Sequence, residues 1–441
     1  MTTSTIRRRA APSAPGDPLQ RRTLGVLVSA QILGTIALGV TPSIGILLAG
    51  EVTDNEAWAG LARTSSTLGA ALLGIPLGNL AARRGRRTAL ATGWWIAATG
   101  AALLVAAAQW ELVIPLFLGL LMTGAGTAAS LQSRFAATDL AAPSTRARSL
   151  SLVVWMGAIG NVLGPNLGVP GEALGAATGL SVYAAAFLIA AVASAVAGGI
   201  VLLLLRPDPL QVLERRQAEL ARAGESPGAA PAAIAPARGR RLERFRLMIA
   251  EVRADRRART ALLALLTAQV VMVSLMTMTP VHIEHQGGSL TIVGLTISLH
   301  VAGMYGLSPV VGILVDRIGH RATTGIGIGL FAGAIATAIL VSGTTWGIIT
   351  SLILLGLGWS FMNVTASALF SVAVQGPSRA SAQGGADALS NLLGAIASFA
   401  AGPLMVVTSF SALGVVAAVV MVPVVLVALN PANWRPATQA D

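Results

Sequence analysis

Few residues of this 441-residue chain could do chemistry, and those that could are set among long apolar runs. Five ionisable side chains lie within or at the ends of such runs: Arg63, Arg134, Asp139, His300 and Asp387. A charged group at the centre of a bilayer costs roughly 2.5–3.5 kcal/mol on insertion scales, so each should face a cavity or a partner. The chemistry open to them is ion pairing, recognition of a charged ligand and proton exchange. His300 is a candidate proton carrier, with a hydrogen-bonded packing role as the alternative.

Arg63 has two interpretations, since its long side chain could extend to the membrane surface or attract an anionic group entering from outside. Uncharged polar residues in the apolar runs are candidates for the wall of a central cavity: Gln31, Asn161, Asn166, Gln269, Asn363 and Asn391. The same runs hold aromatic and flexible apolar side chains: Trp94, Trp95, Trp155, Trp359 and Met276. A cavity with few charges and many apolar walls favours a small lipophilic or amphiphilic ligand over a sugar or an amino acid.

Several classes of function are excluded. The chain has no lysine, so it holds no phosphate-binding loop of the G-x-x-x-x-G-K-[ST] type. It has no cysteine, which excludes disulfides, thiol catalysis and cysteine-based metal sites. His282, Glu284 and His285 cluster at the end of one apolar run, where a solvated loop is a simpler interpretation than a metal site. We expect neither an enzyme nor an ATP-driven pump, with no metal and no cofactor.

The elements that carry these residues are helices that cross a membrane. Hydrophobic residues make up 54% of the chain and charged residues 11%. Runs near twenty residues long are almost free of charge, which is enough to cross about 30 Å of hydrocarbon, and they lack the alternation of barrel strands. The expected fold is all-α, with twelve spans at about 23–49, 57–81, 88–108, 111–137, 149–169, 178–205, 260–281, 289–314, 322–342, 346–371, 381–406 and 410–430.

The placement of arginine predicts the orientation of these spans. All 30 basic residues are arginine, and they occur in the tails and in alternate loops, including 82–88 and 206–259. The intervening loops carry acids and no arginine. By the positive-inside rule, both termini and the 206–259 segment are cytoplasmic. The net charge of +12 is therefore a topology signal, which removes the case for a nucleic-acid partner and leaves the lipid bilayer.

The chain is expected to form two six-helix bundles, 23–205 and 260–430. Tails at 1–22 and 431–441 flank them, and 206–259 is a linker with possible surface helices. The two halves also repeat each other in sequence. In the basic loop the offset is 234 residues, and Gly78, Arg83, Gly85 and Arg87 match Gly312, Arg317, Gly319 and Arg321. In the fifth span the offset is 238 residues, and Gly164-Pro165 matches Gly402-Pro403. Internal duplication of this kind is typical of secondary transporters.

The loop that begins at Gly78 resembles the signature of the major facilitator superfamily, Gly-x-Leu-Ala-Asp-Arg-x-Gly-Arg-Arg, between the second and third helices. The resemblance covers the whole chain and implies two pseudo-symmetric bundles that work by alternating access. The residues assigned to its cytoplasmic gate are Gly78, Arg83, Gly85, Arg86, Arg87, Asp139, Asp316, Arg317, Gly319, Arg321 and Asp387. The chain departs from the signature at Ala82, which stands where the family has an acid.

We expect Asp387, the only acid placed well inside a span, to replace this missing charge. It would pair with Arg83, Arg86 or Arg134 and close the cytoplasmic side. The alternative is that Asp387 takes up and releases the coupling proton. The candidate proton or substrate sites are Asp387, His300, Arg63, Arg134, Gln31, Asn161, Gln269, Asn363 and Asn391.

A second motif lies in the fifth span and consists of Gly160, Gly164, Pro165 and Gly168. It resembles the fifth-helix motif of family members that act as antiporters, particularly drug exporters. The alternative is a packing and kink motif with no bearing on the direction of transport. Many members have a fourth-span arginine four residues before Gly-x-Gly, but Leu120 stands here, which weakens a proton relay through that position.

The sequence thus predicts a secondary transporter of the bacterial inner membrane, functional as a monomer, that exports a small lipophilic or amphiphilic compound in exchange for protons. A proton gradient is the expected energy source. One alternative is a metabolite importer or symporter on the same fold. Another is a non-transporting membrane sensor or assembly partner that docks through residues 206–259.

Overall fold

The computed structural model of the chain describes residues 17–142, 145–222, 252–253, 255–374 and 379–434, which contain no strand. Helices form because, in hydrocarbon, each backbone N–H and C=O group needs a partner within its own segment. The first half contains α1 (Pro18–Gly39), α2 (Ile46–Thr53), α3 (Ala59–Arg84), α4 (Arg86–Trp110), α5 (Val113–Asp139), α6 (Arg146–Leu163), α7 (Gly168–Thr178) and α8 (Val182–Leu204). After α9 (Pro209–Arg222) in the linker, the second half contains α10 (Arg256–His285), α11 (Leu290–Gly306), α12 (Ser308–Leu340), α13 (Thr345–Ala373), α14 (Arg379–Val407) and α15 (Phe410–Leu429).

Eleven stretches of the described chain are long and apolar enough to cross a membrane. One of them, Leu290–Leu340, has 51 residues. At about 1.5 Å per residue it would be more than twice as long as the hydrocarbon core is thick. It is broken at Gly319, whose φ of 82° and ψ of 165° lie outside the helical region. The break separates the eighth span from the ninth, so the all-helical fold with twelve spans is confirmed.

The fifth span differs from its predicted bounds of 149–169. Helix α6 is followed by a 3₁₀ turn at Gly164–Leu167, and α7 then continues the span to Thr178. The sixth span begins at Val182 rather than at 178, because Gly179 ends α7 in a left-handed conformation and the Ser181 side chain caps α8. The glycines and prolines of this region lower its helix propensity, which is why the predicted span ended too early.

Parts of the expected organisation lie outside the described residues. These are residues 1–16 and 435–441 of the predicted tails, and most of the 206–259 linker beyond α9. The first span is described throughout and consists of α1 and α2, joined by one π-helical turn at Thr41–Gly45.

Large aromatic side chains fill notches left by glycines within each half. Trp94 of α4 is fully buried, and a Cβ added to Gly34 of α1 would contact its indole ring. Phe331 of α12 is fully buried in the second half, where a Cβ added to Gly358 of α13 would lie 3.0 Å from its ring. Lipid tails are as apolar as these side chains, so helix association depends on such close packing.

The two basic loops share one backbone geometry. Gly85 has φ 91° and ψ 168°, and Gly319, 234 positions later in the chain, has φ 82° and ψ 165°. A positive φ of this kind is open to glycine and strained for residues with a side chain. The repeat in the sequence is therefore also a repeat in the structure, since the same turn leads from the second span to the third and from the eighth to the ninth.

Candidate functional site

The two halves touch on the side away from the linker. Helix α3 meets α14 there, and a Cβ added to Gly60 would contact the carbonyl oxygen of Ser398. The Ser398 hydroxyl donates to the carbonyl oxygen of Gly60 (3.0 Å), and the Thr64 hydroxyl donates to that of Ala395 (3.1 Å). Close backbone approach with hydroxyl-to-carbonyl bonds stabilises helix pairs in membranes. We call this region the α3–α14 contact.

A related region, the α6–α11 contact, joins the fifth span to the second half. A Cβ added to Gly294 would lie 2.7 Å from the carbonyl oxygen of Pro165. Asn166 donates from Nδ2 to the Ser298 hydroxyl oxygen (2.6 Å), and that hydroxyl donates to the carbonyl oxygen of Val162. Gly294 lies 234 positions after Gly60. The internal repeat therefore places a glycine at each of these two contacts between the halves.

The linker-side ends of these helices are apart. Four hydrogen bonds between described residues of the two halves belong to the α3–α14 and α6–α11 contacts. Asp387 and Asn391 lie on the Ser398 face of α14 by helical spacing, yet both are exposed. Leu68 and Ile75, on the corresponding face of α3, are 48% and 54% exposed. The halves therefore enclose a gap that opens on the linker side.

Apolar and aromatic side chains predominate along this gap. On α6, Trp155 and Ile159 share the face that carries Val162 and Asn166, and they are 50% and 39% exposed. The other aromatic candidates of the first half lie elsewhere, since Trp94 is buried and Trp95 donates from Nε1 to a carbonyl oxygen of α8. Met276 is also buried, within the core of the second half. The wall of the gap offers apolar surface with few polar groups.

Three candidate side chains, Arg63, Gln269 and Trp359, lie with Tyr305 near the closed end of the gap. Trp359 donates from Nε1 to Oε1 of Gln269 (3.3 Å), and the rings of Tyr305 and Trp359 meet edge-on with centroids 5.9 Å apart. Arg63 of α3 is partly buried and lies within electrostatic range of Tyr305. Among the described residues its guanidinium has no carboxylate partner. We call these four residues the central cluster, in which Arg63 is the member from the first half.

His300 and Gln31 lie inside the packed halves and do not line the gap. His300 is fully buried, and its Nδ1 donates to the carbonyl oxygen of Leu352 at 2.8 Å, while Nε2 has no partner among the described residues. Gln31 is 4% exposed and donates from Nε2 to the Ser130 hydroxyl. Both contacts join helices of one half, so they support packing roles.

The three remaining asparagines of the predicted site have different surroundings. Asn161 and Asn363 are partly buried, and neither side chain forms a hydrogen bond with another described residue. Asn363 lies one turn beyond Trp359 on α13, which places it next to the central cluster. Asn391 is exposed and donates to the carbonyl oxygen of Asp387 in its own helix (2.9 Å). Asn363 and Asn391 therefore adjoin the gap.

Arg86 pairs with Asp139 rather than with Asp387. The distance from Arg86 Nε to Asp139 Oδ2 is 2.9 Å, and the pair joins the start of α4 to the end of α5 within the first half. The expected Arg86–Asp387 pair is absent from the ion pairs of the described residues. Arg134 donates from Nε to the carbonyl oxygen of Leu131 in its own helix (3.0 Å).

The other gate residues divide between exposed and anchored groups. Arg321 donates to the carbonyl oxygens of Ala428 (3.4 Å) and Leu429 (3.1 Å), which end α15. A cation at a helix C-terminus is favoured by the helix dipole. Arg321 is exposed, as are Gly78, Arg83, Asp316 and Arg317 of the predicted gate.

Asp208, which the sequence reasoning missed, holds the first basic loop. Its Oδ2 accepts from the backbone N–H of Arg87 (2.8 Å) and its Oδ1 from that of Leu210 (3.0 Å). A Cβ added to Gly85 would lie 2.6 Å from its carboxyl carbon. The available signal was the Asp208-Pro209 pair after the sixth span, since Asp at the N-cap with Pro at the next position begins many helices.

The fifth-span motif packs on both neighbours at once. A Cβ added to Gly164 would lie 2.6 Å from the Cα of Gly39 in the first span, and one added to Gly160 would lie 2.8 Å from the backbone nitrogen of Ile36. On the other face, a Cβ added to Gly168 would lie 3.4 Å from that of Leu290. The motif therefore fixes the fifth span against α1 and seats it on the second half through the α6–α11 contact.

Two six-helix halves around a gap that opens on one side form a membrane transporter, not an enzyme. The sequence profile of the Major Facilitator Superfamily matches residues 23–398 and 284–440. The chain belongs to this superfamily, as the basic loop and its repeat predicted.

The chain is similar along nearly its whole length to three known proteins. It is 35% identical over 414 residues to YdeG of Bacillus subtilis (strain 168), named as an uncharacterised MFS-type transporter, with 92% of each chain covered. It is 27% identical over 419 residues to the riboflavin transporter RfnT of Brucella anthropi, covering 92% of this chain and 96% of RfnT. The fold resembles a bacterial homologue of the human lysosomal transporter Spinster in an inward-facing, unoccupied conformation, with a TM-score of 0.66, 16% identity, and 94% and 95% of the two chains covered.

Proposed function

We propose that this protein exports a small lipophilic or amphiphilic compound across the bacterial cell membrane, in exchange for protons, by alternating access. The observation that carries the proposal is the gap between the halves, which is closed by two glycine contacts on one side and open on the linker side. An exporter loads its substrate from such a state if the linker side is cytoplasmic. The positive-inside rule supports that orientation, with both termini in the cytoplasm.

The residues of the central cluster support a lipophilic or amphiphilic substrate. Two aromatic rings offer stacking surface, while Arg63 and Gln269 offer a cation and an amide to a polar group. The rest of the wall is largely apolar, as in most small-molecule pockets. The relative RfnT is a riboflavin transporter, and riboflavin combines a planar ring system with a polar chain. A planar amphiphile that places its ring on Trp359 and its polar end near Arg63 suits this arrangement.

The fifth-span motif supports export. Its glycines fix the fifth span against α1 and α11, so a change at the α6–α11 contact moves the first half as a unit. We propose that this is the outward opening step, with the α3–α14 and α6–α11 contacts separating as the linker side closes. Proton coupling needs a titratable group that faces the gap. Asp387 is the acid on that surface of α14, and this role is the alternative to its predicted role as a latch.

Everted membrane vesicles test the direction and the coupling together. Riboflavin is the first compound to test, followed by a panel of other compounds. Everted vesicles with an acidic interior should accumulate the substrate, and an uncoupler of the proton gradient should abolish this accumulation. Vesicles that hold the Gly164→Leu variant are the matched control, because the same protein is present with its packing disrupted. Accumulation only in right-side-out vesicles would establish the importer instead. No substrate movement in either orientation, with purified protein that binds none of the panel, would contradict the proposal.

A further inference from the structure

A cavity of about 270 Å³ lies at the linker-side surface, where the basic loop, the end of α8 and the start of α9 meet. Four arginines line it: Arg84, Arg87, Arg206 and Arg215. Two of them come from the basic loop, one from the end of the sixth span and one from the second turn of α9. The topology thus brings guanidinium groups from three elements to one concave site, separate from the gap between the halves.

The arginines of this cavity are not neutralised by the protein. Asp208 is the one acid of its lining. Its carboxylate already accepts hydrogen bonds from the backbone N–H groups of Arg87, Leu210 and Gln211. Among the described residues none of the four guanidinium groups forms an ion pair or a side-chain hydrogen bond. Four cations against one engaged acid leave a concave site with excess positive charge.

The position of the cavity limits the ligand that it suits. Guanidinium groups bind phosphate oxygens in pairs of parallel hydrogen bonds, and several converging on one site select an oxyanion. Leu203 and Leu204, which directly precede this end of the sixth span, are 63% and 49% exposed. They offer apolar surface for an acyl chain at the depth where the bilayer ends. A lipid combines both features, with its phosphate at the membrane surface and its chains in the hydrocarbon.

We propose that this cavity binds the phosphate group of an anionic phospholipid, with the acyl chains against Leu203 and Leu204. Asp208 holds the site in shape, because one carboxylate joins the start of α4 to the start of α9. The bound lipid would bridge the basic loop and the linker helix and stabilise their contact. Free inorganic phosphate shares the same chemistry and is the competing source of the ligand.

Native mass spectrometry of the purified full chain, titrated with phosphatidylglycerol and separately with phosphatidylcholine, tests the proposal. The Arg206→Gln/Arg215→Gln variant should bind phosphatidylglycerol at least about tenfold more weakly than the unmodified protein, since each arginine near an anionic lipid contributes to binding. The matched control is Arg256→Gln/Arg259→Gln, which removes two exposed arginines at the start of α10. The control should change affinity by less than about twofold.

Three results would overturn the assignment. Equal weakening by both pairs of substitutions would indicate general surface charge rather than this cavity. Unchanged phosphatidylglycerol binding in the Arg206→Gln/Arg215→Gln variant would remove the site. Binding of inorganic phosphate without any preference for phosphatidylglycerol over phosphatidylcholine would exclude the lipid. The thermal unfolding temperature of each variant in detergent, measured first, ensures that folded proteins are compared.

Discussion

The carboxylate of Asp208 accepts a hydrogen bond from the backbone N–H of Arg87 at 2.8 Å, and this bond joins the linker to the basic loop between the second and third spans. In the second half, the matching residue Arg321 donates its side chain to the carbonyl oxygens that end α15. Both loops are therefore anchored to the end of the last span of their own half. The first anchor uses an acid of the linker, and the second uses an arginine of the loop.

Substitution of this acid should destabilise the first half. Asp208→Ala removes a charge-assisted acceptor from backbone N–H groups at the starts of α4 and α9, which we expect to cost about 1–3 kcal/mol. Thermal unfolding of the purified protein measures the effect. Asp316→Ala is the matched control, because Asp316 is an exposed acid in the equivalent loop of the second half. Equal unfolding temperatures for the two variants would contradict the anchoring role.

The membrane orientation can be read from single cysteines, because the chain has none of its own. An impermeant thiol reagent applied to intact cells should label a cysteine placed at Asp54, which is exposed at the end of the first span. A cysteine placed at Ser226 in the linker should react only after the membrane is opened. The reverse pattern would invert the topology and, with it, the assignment of the open side.

Added bulk at Gly164 should arrest transport. A leucine there would displace the backbone of Gly39, whose Cα lies 2.6 Å from the Cβ position, so the fifth span could no longer seat against α1. We expect transport to fall at least about tenfold while the protein remains in the membrane. Gly199→Leu on α8 is the control, since a Cβ there meets nothing within 4 Å. Normal transport by the Gly164 variant would show that this packing is incidental.

Arg63→Gln should weaken substrate binding without lowering stability. An unpaired, partly buried cation contributes little to folding, so its loss should leave the unfolding temperature unchanged or raise it. The substrate-induced rise in that temperature should shrink by an amount corresponding to about tenfold weaker binding, and Arg63→Lys should restore part of it. Full binding by Arg63→Gln would exclude the central cluster as the recognition site.

Asp387 is predicted to act as a latch that meets Arg134 when the linker side closes. Asp387→Asn should then raise the population with an open linker side, while some proton-coupled transport remains. A coupling-site residue would behave differently, since its loss would abolish gradient-driven accumulation and leave substrate exchange at equilibrium. Distance distributions between spin labels on the linker-side ends of α5 and α14 measure the population.

Two second-site changes decide between these roles of Asp387. Exchange of the charges, as Arg134→Asp with Asp387→Arg, should restore the closed population if the two residues pair. Ala82→Asp in the Asp387→Asn background returns the acid of the family signature to the basic loop and should do the same by another route. Failure of both to recover the closed population would contradict the latch.

The spans and the repeat were predictable because they depend on local properties. An apolar run of about twenty residues predicts a helix that crosses the hydrocarbon. Positions 85 and 319 need glycine, because their backbone has a positive φ that is unfavourable for residues with a side chain. The identity of the family followed from the same loop. The end of the fifth span was predicted wrongly, because its prolines and glycines lower helix propensity while packing against α1 and α11 keeps the chain helical.

Partners across helices were much less predictable. Arg86 had several acids within reach of its loop, and only the packing of α4 on α5 selects Asp139. His300 and Asn363 look alike in sequence, as single polar residues in apolar runs, but one is buried within its half and the other adjoins the gap. Asp387 adds a further difficulty, since the predicted latch partner would be met only when the linker side is closed, and one sequence encodes both states.

The even number of spans in each half has a consequence for the origin of the two glycine contacts. A unit of six spans begins and ends on the same side of the membrane, so two copies insert in the same direction and pair about an axis along the membrane normal. In such a homodimer Gly60 and Gly294 would be one residue, and both contacts would be the same surface used twice. Fusion of two copies into a single chain would free each contact to diverge. The α3–α14 contact uses the hydroxyl of Ser398, and the α6–α11 contact uses the amide of Asn166. Two contacts of different chemistry would then have to separate in the same step of the proposed transport cycle.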